Sequence, residues 1–129
     1  MTAPDTVASF RTILSPRSIA VIGASRTPGT IGHEVVASLV RCGFTGGVYP
    51  VNPRATSICA VPAFASVEEI PAEIDQAIIV VPKELVQGVA ESCVRKRVPA
   101  LVVISAGFRE VGAEGLARER RLTELVRAN

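Results

Sequence analysis

Four short apolar runs punctuate the chain: Ile19–Ile22, Val48–Val51, Ala77–Val81 and Leu101–Ile104. They lack the alternation of half-exposed strands, so they predict strands covered on both faces. Between the first two, Ile31, Val35, Val36, Leu39 and Val40 recur at helical spacing, and Gly43 is placed to close that helix. Pro82 opens a second helix, with Leu85, Val86, Val89, Ala90, Cys93 and Val94 on one face. A charged helix is predicted from Glu114 to about Arg127, with Leu116, Leu122, Leu125 and Val126 apolar. Residues 1–14 predict a short amphipathic helix carrying Val7, Phe10, Ile13 and Leu14. Residues 54–76 read as irregular, except for one helical turn with Ser66 as cap and Glu69 at the capping-box position.

Alternation of strand and helix implies an α/β fold, a Rossmann-like doubly wound parallel sheet with right-handed crossovers. The sequence closes on a helix where a doubly wound sheet normally returns to a strand. The sheet is therefore expected to lack its last strand, and residues 1–129 to form a single domain at the N-terminal end of a longer protein.

Composition narrows the function. Hydrophobic residues make up 48% of the chain, which excludes a disordered segment. A net charge of +2 and 4% aromatics give no basis for nucleic acid or an anionic membrane as partner. No apolar run approaches the roughly 20 residues of a membrane span. The N-terminus lacks a signal-peptide layout, so a cytoplasmic location is expected. Cys42 and Cys93 read as small apolar residues on helix faces, and nothing near Cys59 in the sequence would activate it. His33 is the sole histidine, so no His-based metal site or triad is expected to assemble from this chain.

The first strand runs into Gly23-Ala24-Ser25-Arg26-Thr27-Pro28-Gly29-Thr30-Ile31-Gly32. In a G-x-G-x-x-G frame the glycine positions are held by Gly23, Ser25 and Pro28, so the dinucleotide fingerprint fails. The loop still suits phosphate. Gly23 permits a tight turn, Ser25, Arg26 and Thr27 offer donors, Gly29 allows close backbone approach, and a helix N-terminus follows. The second strand ends in Val51-Asn52-Pro53-Arg54, with no acid between Glu34 and Glu68. An NAD site would place Asp or Glu there. Arg54 suits a phosphorylated ribose, as in NADP or coenzyme A, and a Walker loop is absent.

The segment Leu14–Ser25 resembles the opening of the NDP-forming acyl-CoA synthetases, relatives of the succinyl-CoA synthetase alpha subunit. The resemblance continues through Pro28–Gly32, Val48–Pro53, Val80–Pro82 and Ile104–Phe108, and so covers the chain from about Leu14 to Leu125. It implies a CoA-binding domain with coenzyme A as ligand. Gly23, Ser25, Arg26, Pro28 and Gly29 would lie against the CoA phosphates, and Asn52 and Arg54 near the adenosine ribose and its phosphate. Val81 and Pro82 would flank the adenine, and Ser105, Ala106 and Gly107 would line the path of the pantetheine arm. The family's phosphohistidine and ATP-grasp parts have no counterpart here, nor does its next strand with a Gly-Pro-Asn turn. The chain alone is thus expected to bind CoA without catalysing acyl transfer, with no catalytic residue or metal ligand assigned. Its parent would be an ADP- or GDP-forming ligase. The alternatives are a CoA-sensing regulatory module of a protein lysine acetyltransferase and an NADP-binding domain.

Overall fold

The predicted strands form one sheet in the computed structural model, which describes residues 6–105 and 112–128. In chain order the elements are α1 (Thr6–Leu14), β1 (Ser18–Ile22), α2 (Ile31–Arg41), β2 (Gly47–Val51), β3 (Ser57–Ile58) and β4 (Val61–Pro62). After a 3-10 turn at Val67–Glu69 come β5 (Gln76–Ile79), α3 (Lys83–Lys96), β6 (Ala100–Val103) and α4 (Ala113–Ala128). The sheet order is β2-β1-β5-β6, with every pair parallel. Successive residues of β1 divide the core between the two faces. Ile19 and Val21 pack with Val36 of α2 and with Ile58, while Ala20 and Ile22 pack with Ile79 and with Val86 and Cys93 of α3. Helices on both faces explain why the strands carry almost no polar positions.

The last two strands begin and end earlier than the apolar runs. Gln76 belongs to β5 although it is polar, because its amide is buried and donates from Nε2 to the carbonyls of Thr12 and Ile13. That pair of bonds fastens the end of α1 to the sheet. Beyond Ile79, the Val80 N–H still donates to Ile22 O at 2.7 Å, but Val80 and Val81 have left the ladder to line a crevice. In α1 the expected apolar face does not face inward. Phe10, Ile13 and Leu14 are exposed and Thr12 is buried, while the Val7 side chain lies outside the described residues.

Gly43, at φ +76°, closes α2 as expected, with Phe44 N donating to Leu39 O. Ser66 makes no side-chain cap bond, so the expected capping box does not form. Burial of Val67 and Ile70 holds that turn instead.

Residues 54–76 contain a hairpin that the sequence does not announce. β3 and β4 pair antiparallel through Cys59 and Ala60, both at positive φ (+52° and +63°). A two-residue type I′ connection needs that sign pattern and usually recruits Asn-Gly. Here Cys and Ala adopt it, at a cost of roughly 1–2 kcal/mol each, anchored by the fully buried Ile58. Just beyond, Phe64 N donates to Pro50 O and Asn52 N to Phe64 O, both at 2.9 Å, so this segment lies along the outer side of β2.

At the opposite end of the sheet, Asp75 accepts the Arg17 backbone N–H at 2.9 Å and pairs with Arg11 at 3.3 Å. The Arg17 amide, then the two arginine side chains, hold its carboxyl below the ordinary value of 3.8. A depressed folded-state pKa stabilises above the unfolded value and is lost as pH falls through the folded one. Asp75→Asn is expected to lower the unfolding free energy at pH 7 by about 1–2 kcal/mol. The gap to wild type should close in urea titrations run at progressively lower pH, starting below about 4.

Candidate functional site

The end of β1 is built from backbone contacts that only glycine tolerates. Gly23, at φ +93°, donates its N–H to Val51 O at 3.2 Å. A Cβ at Gly23 would stand 1.8 Å from Val80 O, and one at Gly32 would stand 2.1 Å from Gly23 O. The exits of β1 and β5 and the start of α2 therefore meet without side chains between them. From β1 the sheet grows to β2 on one side and to β5 and β6 on the other. Gly23 thus sits at the switch point, where open α/β sheets bind ligands.

A cleft of about 500 Å³ opens there. Its wall brings together Gly23, Ser25, Asn52, Val81 and Pro82 from the residues expected to contact ligand. Asn52 ties the wall together. Its Nδ2 donates to Ala24 O at 2.9 Å, and its Oδ1 accepts the Arg54 N–H at 2.7 Å. Arg26 and Arg54 are exposed next to wall residues rather than part of the wall. Pro28 and Ser105 are also not in the wall, and Ala106 and Gly107 lie outside the described residues.

Gly29 belongs to a different surface. It lines a groove of about 690 Å³ along α2, with Ile31, Glu34, Val35 and Leu39. Its N–H donates to Glu34 Oε1 at 3.1 Å, and a Cβ there would meet nothing within 4 Å, so its φ of +90° is what requires glycine. That N–H, followed by His33, holds the Glu34 carboxyl below its usual range. The rest of the loop is tied to itself. Thr27 N donates to Ser25 Oγ at 3.0 Å, and Thr30 Oγ1 donates to Thr27 O at 2.8 Å while capping α2.

Sequence reasoning missed two parts of the wall. Ala65 comes from the segment taken as irregular, and Ser66 and Val67 from the helical turn that was given no part in the site. Leu85 and Val89 were placed on the apolar face of α3 with no role in the site, but they line the cleft together with Ser92, and Leu85 is 56% exposed. The four-residue spacing of Leu85 and Val89 was the available signal. The wall offers hydroxyl, amide and apolar groups, which suit holding a ligand.

One cysteine meets expectation and two depart from it. Cys93 is buried, and burial, with Glu68 nearby, pushes its thiol up to about 12. Cys42, at the end of α2, is exposed, although it lines the same groove as Ile31, Val35 and Leu39. Cys59 does have a base beside it: His33 Nε2 stands 3.6 Å from its Sγ, and His33 Nδ1 is 3.3 Å from Glu34 Oε1. A single histidine therefore does assemble a triad-like row. The partners are 26 residues apart in sequence, and the β3–β4 hairpin brings them together.

Residues 17–129 match the model of a family described as "CoA binding domain". The chain is 42% identical over 122 residues to the ADP-forming acetate–CoA ligase II of Archaeoglobus fulgidus, covering 95% of this chain and 18% of that protein. It is 48% identical over 113 residues to the alpha subunit of the ADP-forming acetate–CoA ligase II of Pyrococcus furiosus, covering 87% of this chain and 24% of the subunit. The apo structure of the dinucleotide-forming acetyl-coenzyme A synthetase 1 of Candidatus Korarchaeum cryptofilum superposes with a TM-score of 0.89 at 35% identity, over 92% of this chain and 26% of that one. The chain thus spans about a quarter or less of the length of these relatives.

Proposed function

The chain belongs to the CoA binding domain family, and on that premise we propose that its switch-point cleft holds coenzyme A for an ADP-forming acyl-CoA synthetase. The observation that supports this most is the convergence of Gly23, Ser25, Asn52, Val81 and Pro82 on one cleft at the carboxyl ends of the strands. In this reading the turn at Gly23 and the Ser25 hydroxyl meet the CoA phosphates. Exposed Arg26 and Arg54 supply positive charge at the rim. Val81, Pro82, Leu85 and Val89 give the adenine an apolar wall, and the segment from Ser105 through Gly107 guides the pantetheine arm.

CoA is then a substrate of the larger protein rather than a resident cofactor. The cleft contributes proximity and orientation to the thiol. Activation of the acid is assigned to phosphohistidine and ATP-grasp parts carried elsewhere in the same or another chain. The proposal includes a cytoplasmic location, and among the described residues no helix is long and apolar enough to cross a membrane.

Calorimetric titration with CoA, dephospho-CoA, NADP and NAD tests the reading. CoA is expected to bind and NAD to fail. Arg54→Ala is expected to weaken CoA about tenfold or more while leaving dephospho-CoA unchanged, because only CoA carries the ribose phosphate. Equal loss for both ligands would remove Arg54 from the site. Tighter binding of NADP than of CoA would overturn the assignment of the cleft.

A further inference from the structure

We propose that Cys59 is a reactive thiol that exchanges with low-molecular-weight disulfides, with His33 as its base and Glu34 holding the imidazole in register. The geometry suits each role. A carboxylate can only accept, so the His33 Nδ1 that lies 3.3 Å from Glu34 Oε1 carries the proton. In the Nδ1–H tautomer of a neutral imidazole the lone pair lies at Nε2, and Nε2 is the atom 3.6 Å from Cys59 Sγ. The His33 side chain is only 18% exposed. This is the nucleophile, base and orienting-group arrangement that activates thiols elsewhere.

The hairpin holds the thiol beside the imidazole. Cys59 sits at its tip in a left-handed conformation that non-glycine residues rarely keep, and Ala60 shares it. Strain of this kind persists where the surroundings impose it, and it concentrates at reactive positions. Here Ile58 is buried beneath the tip and Ala63 N donates to Thr56 O at 2.9 Å, so the turn is held from both sides. Cys59 packs against the core around Ile58 but is only half-buried.

The chemistry balances without a further oxidant. Nε2 takes the proton from Sγ, and the thiolate attacks one sulfur of a small disulfide R–S–S–R. The Cys59–S–S–R bond forms as the original S–S bond breaks, and the departing thiolate recovers the proton from Nε2. None of Cys59, His33 and Glu34 lines the switch-point cleft, so the inference stands whether or not that cleft takes CoA.

The other two cysteines are built-in controls. Cys42 is exposed, and Cys93 is buried with its thiol pushed up to about 12. The folded chain is treated with limiting dithiodipyridine, quenched in acid, and the adducts are located by peptide mass mapping. Cys59 is expected to react about tenfold or more faster than Cys42 despite being less exposed. His33→Gln is expected to abolish that advantage, and Glu34→Ala to reduce it part-way. Protection of Cys93 reports that a variant is folded. If His33→Gln exposes Cys93, the wild-type ratio and Glu34→Ala decide. Cys42 reacting as fast as Cys59 in the wild type, or a folded His33→Gln retaining the full Cys59 rate, would overturn the proposal.

Discussion

Gly23→Ala is expected to cost the protein its fold, by more than about 4 kcal/mol. The new methyl would occupy the position 1.8 Å from Val80 O, well inside contact distance. Relief would require moving β5 away from β1, which breaks the Val80 N–Ile22 O bond and opens the core around Ile22 and Ile79. The residue would also have to hold φ at +93°. Gly29→Ala is the matched control, since its φ is +90° but its Cβ meets open space. That change should cost only about 1–2 kcal/mol. Circular dichroism melts of the two variants check the contrast. A Gly23→Ala protein that melts within a few degrees of wild type would show that the β1–β5 contact is not the constraint described here.

Asn52→Asp is expected to damage the cleft by exchanging a single atom. The amide nitrogen that donates to Ala24 O at 2.9 Å becomes an oxygen, so two acceptors face each other. One bond is lost and a repulsion replaces it, a loss of about 1–3 kcal/mol. Oδ1 can still accept from Arg54 N, so the turn at Pro53 survives. The added negative charge sits in the wall proposed to face a polyphosphate. CoA affinity should therefore fall by more than tenfold, beyond the loss caused by Asn52→Ala, which removes the tie without adding charge. Denaturant midpoints separate the structural part and calorimetry the binding part. Equal CoA affinity for the two variants would exclude a charge effect at this position.

The sheet was legible because a strand buried on both faces leaves a continuous apolar run, and β1 and β2 were found to within one residue. Where a strand includes a buried polar residue, as at Gln76, the run starts too late. Its burial depends on carbonyls 63 and 64 residues away, which no local pattern encodes. The hairpin was missed for a related reason. Cys59 and Ala60 carry no turn signal, and their conformation is imposed by Ile58 beneath them. In the cleft, strand-end residues such as Gly23, Asn52 and Val81 were accessible because parallel topology collects them at one edge. Leu85 and Val89 were hidden because spacing identifies an apolar helical face but does not tell whether that face meets core or ligand. The Cys59–His33 pair shows the same limit for long-range neighbours.

The two margins of the sheet are not equivalent, and this gives the fold a direction of growth. At β2, Pro50 has no N–H to offer, and the chain around Phe64 already bonds to Pro50 O and to the Asn52 N–H. That margin is finished from within. At β6, among the described residues, the outer margin has no strand beside it. Its ladder groups are a template for pairing. A strand added beyond β6 would therefore leave the β2 margin, and the cleft wall fastened to it by Asn52, undisturbed.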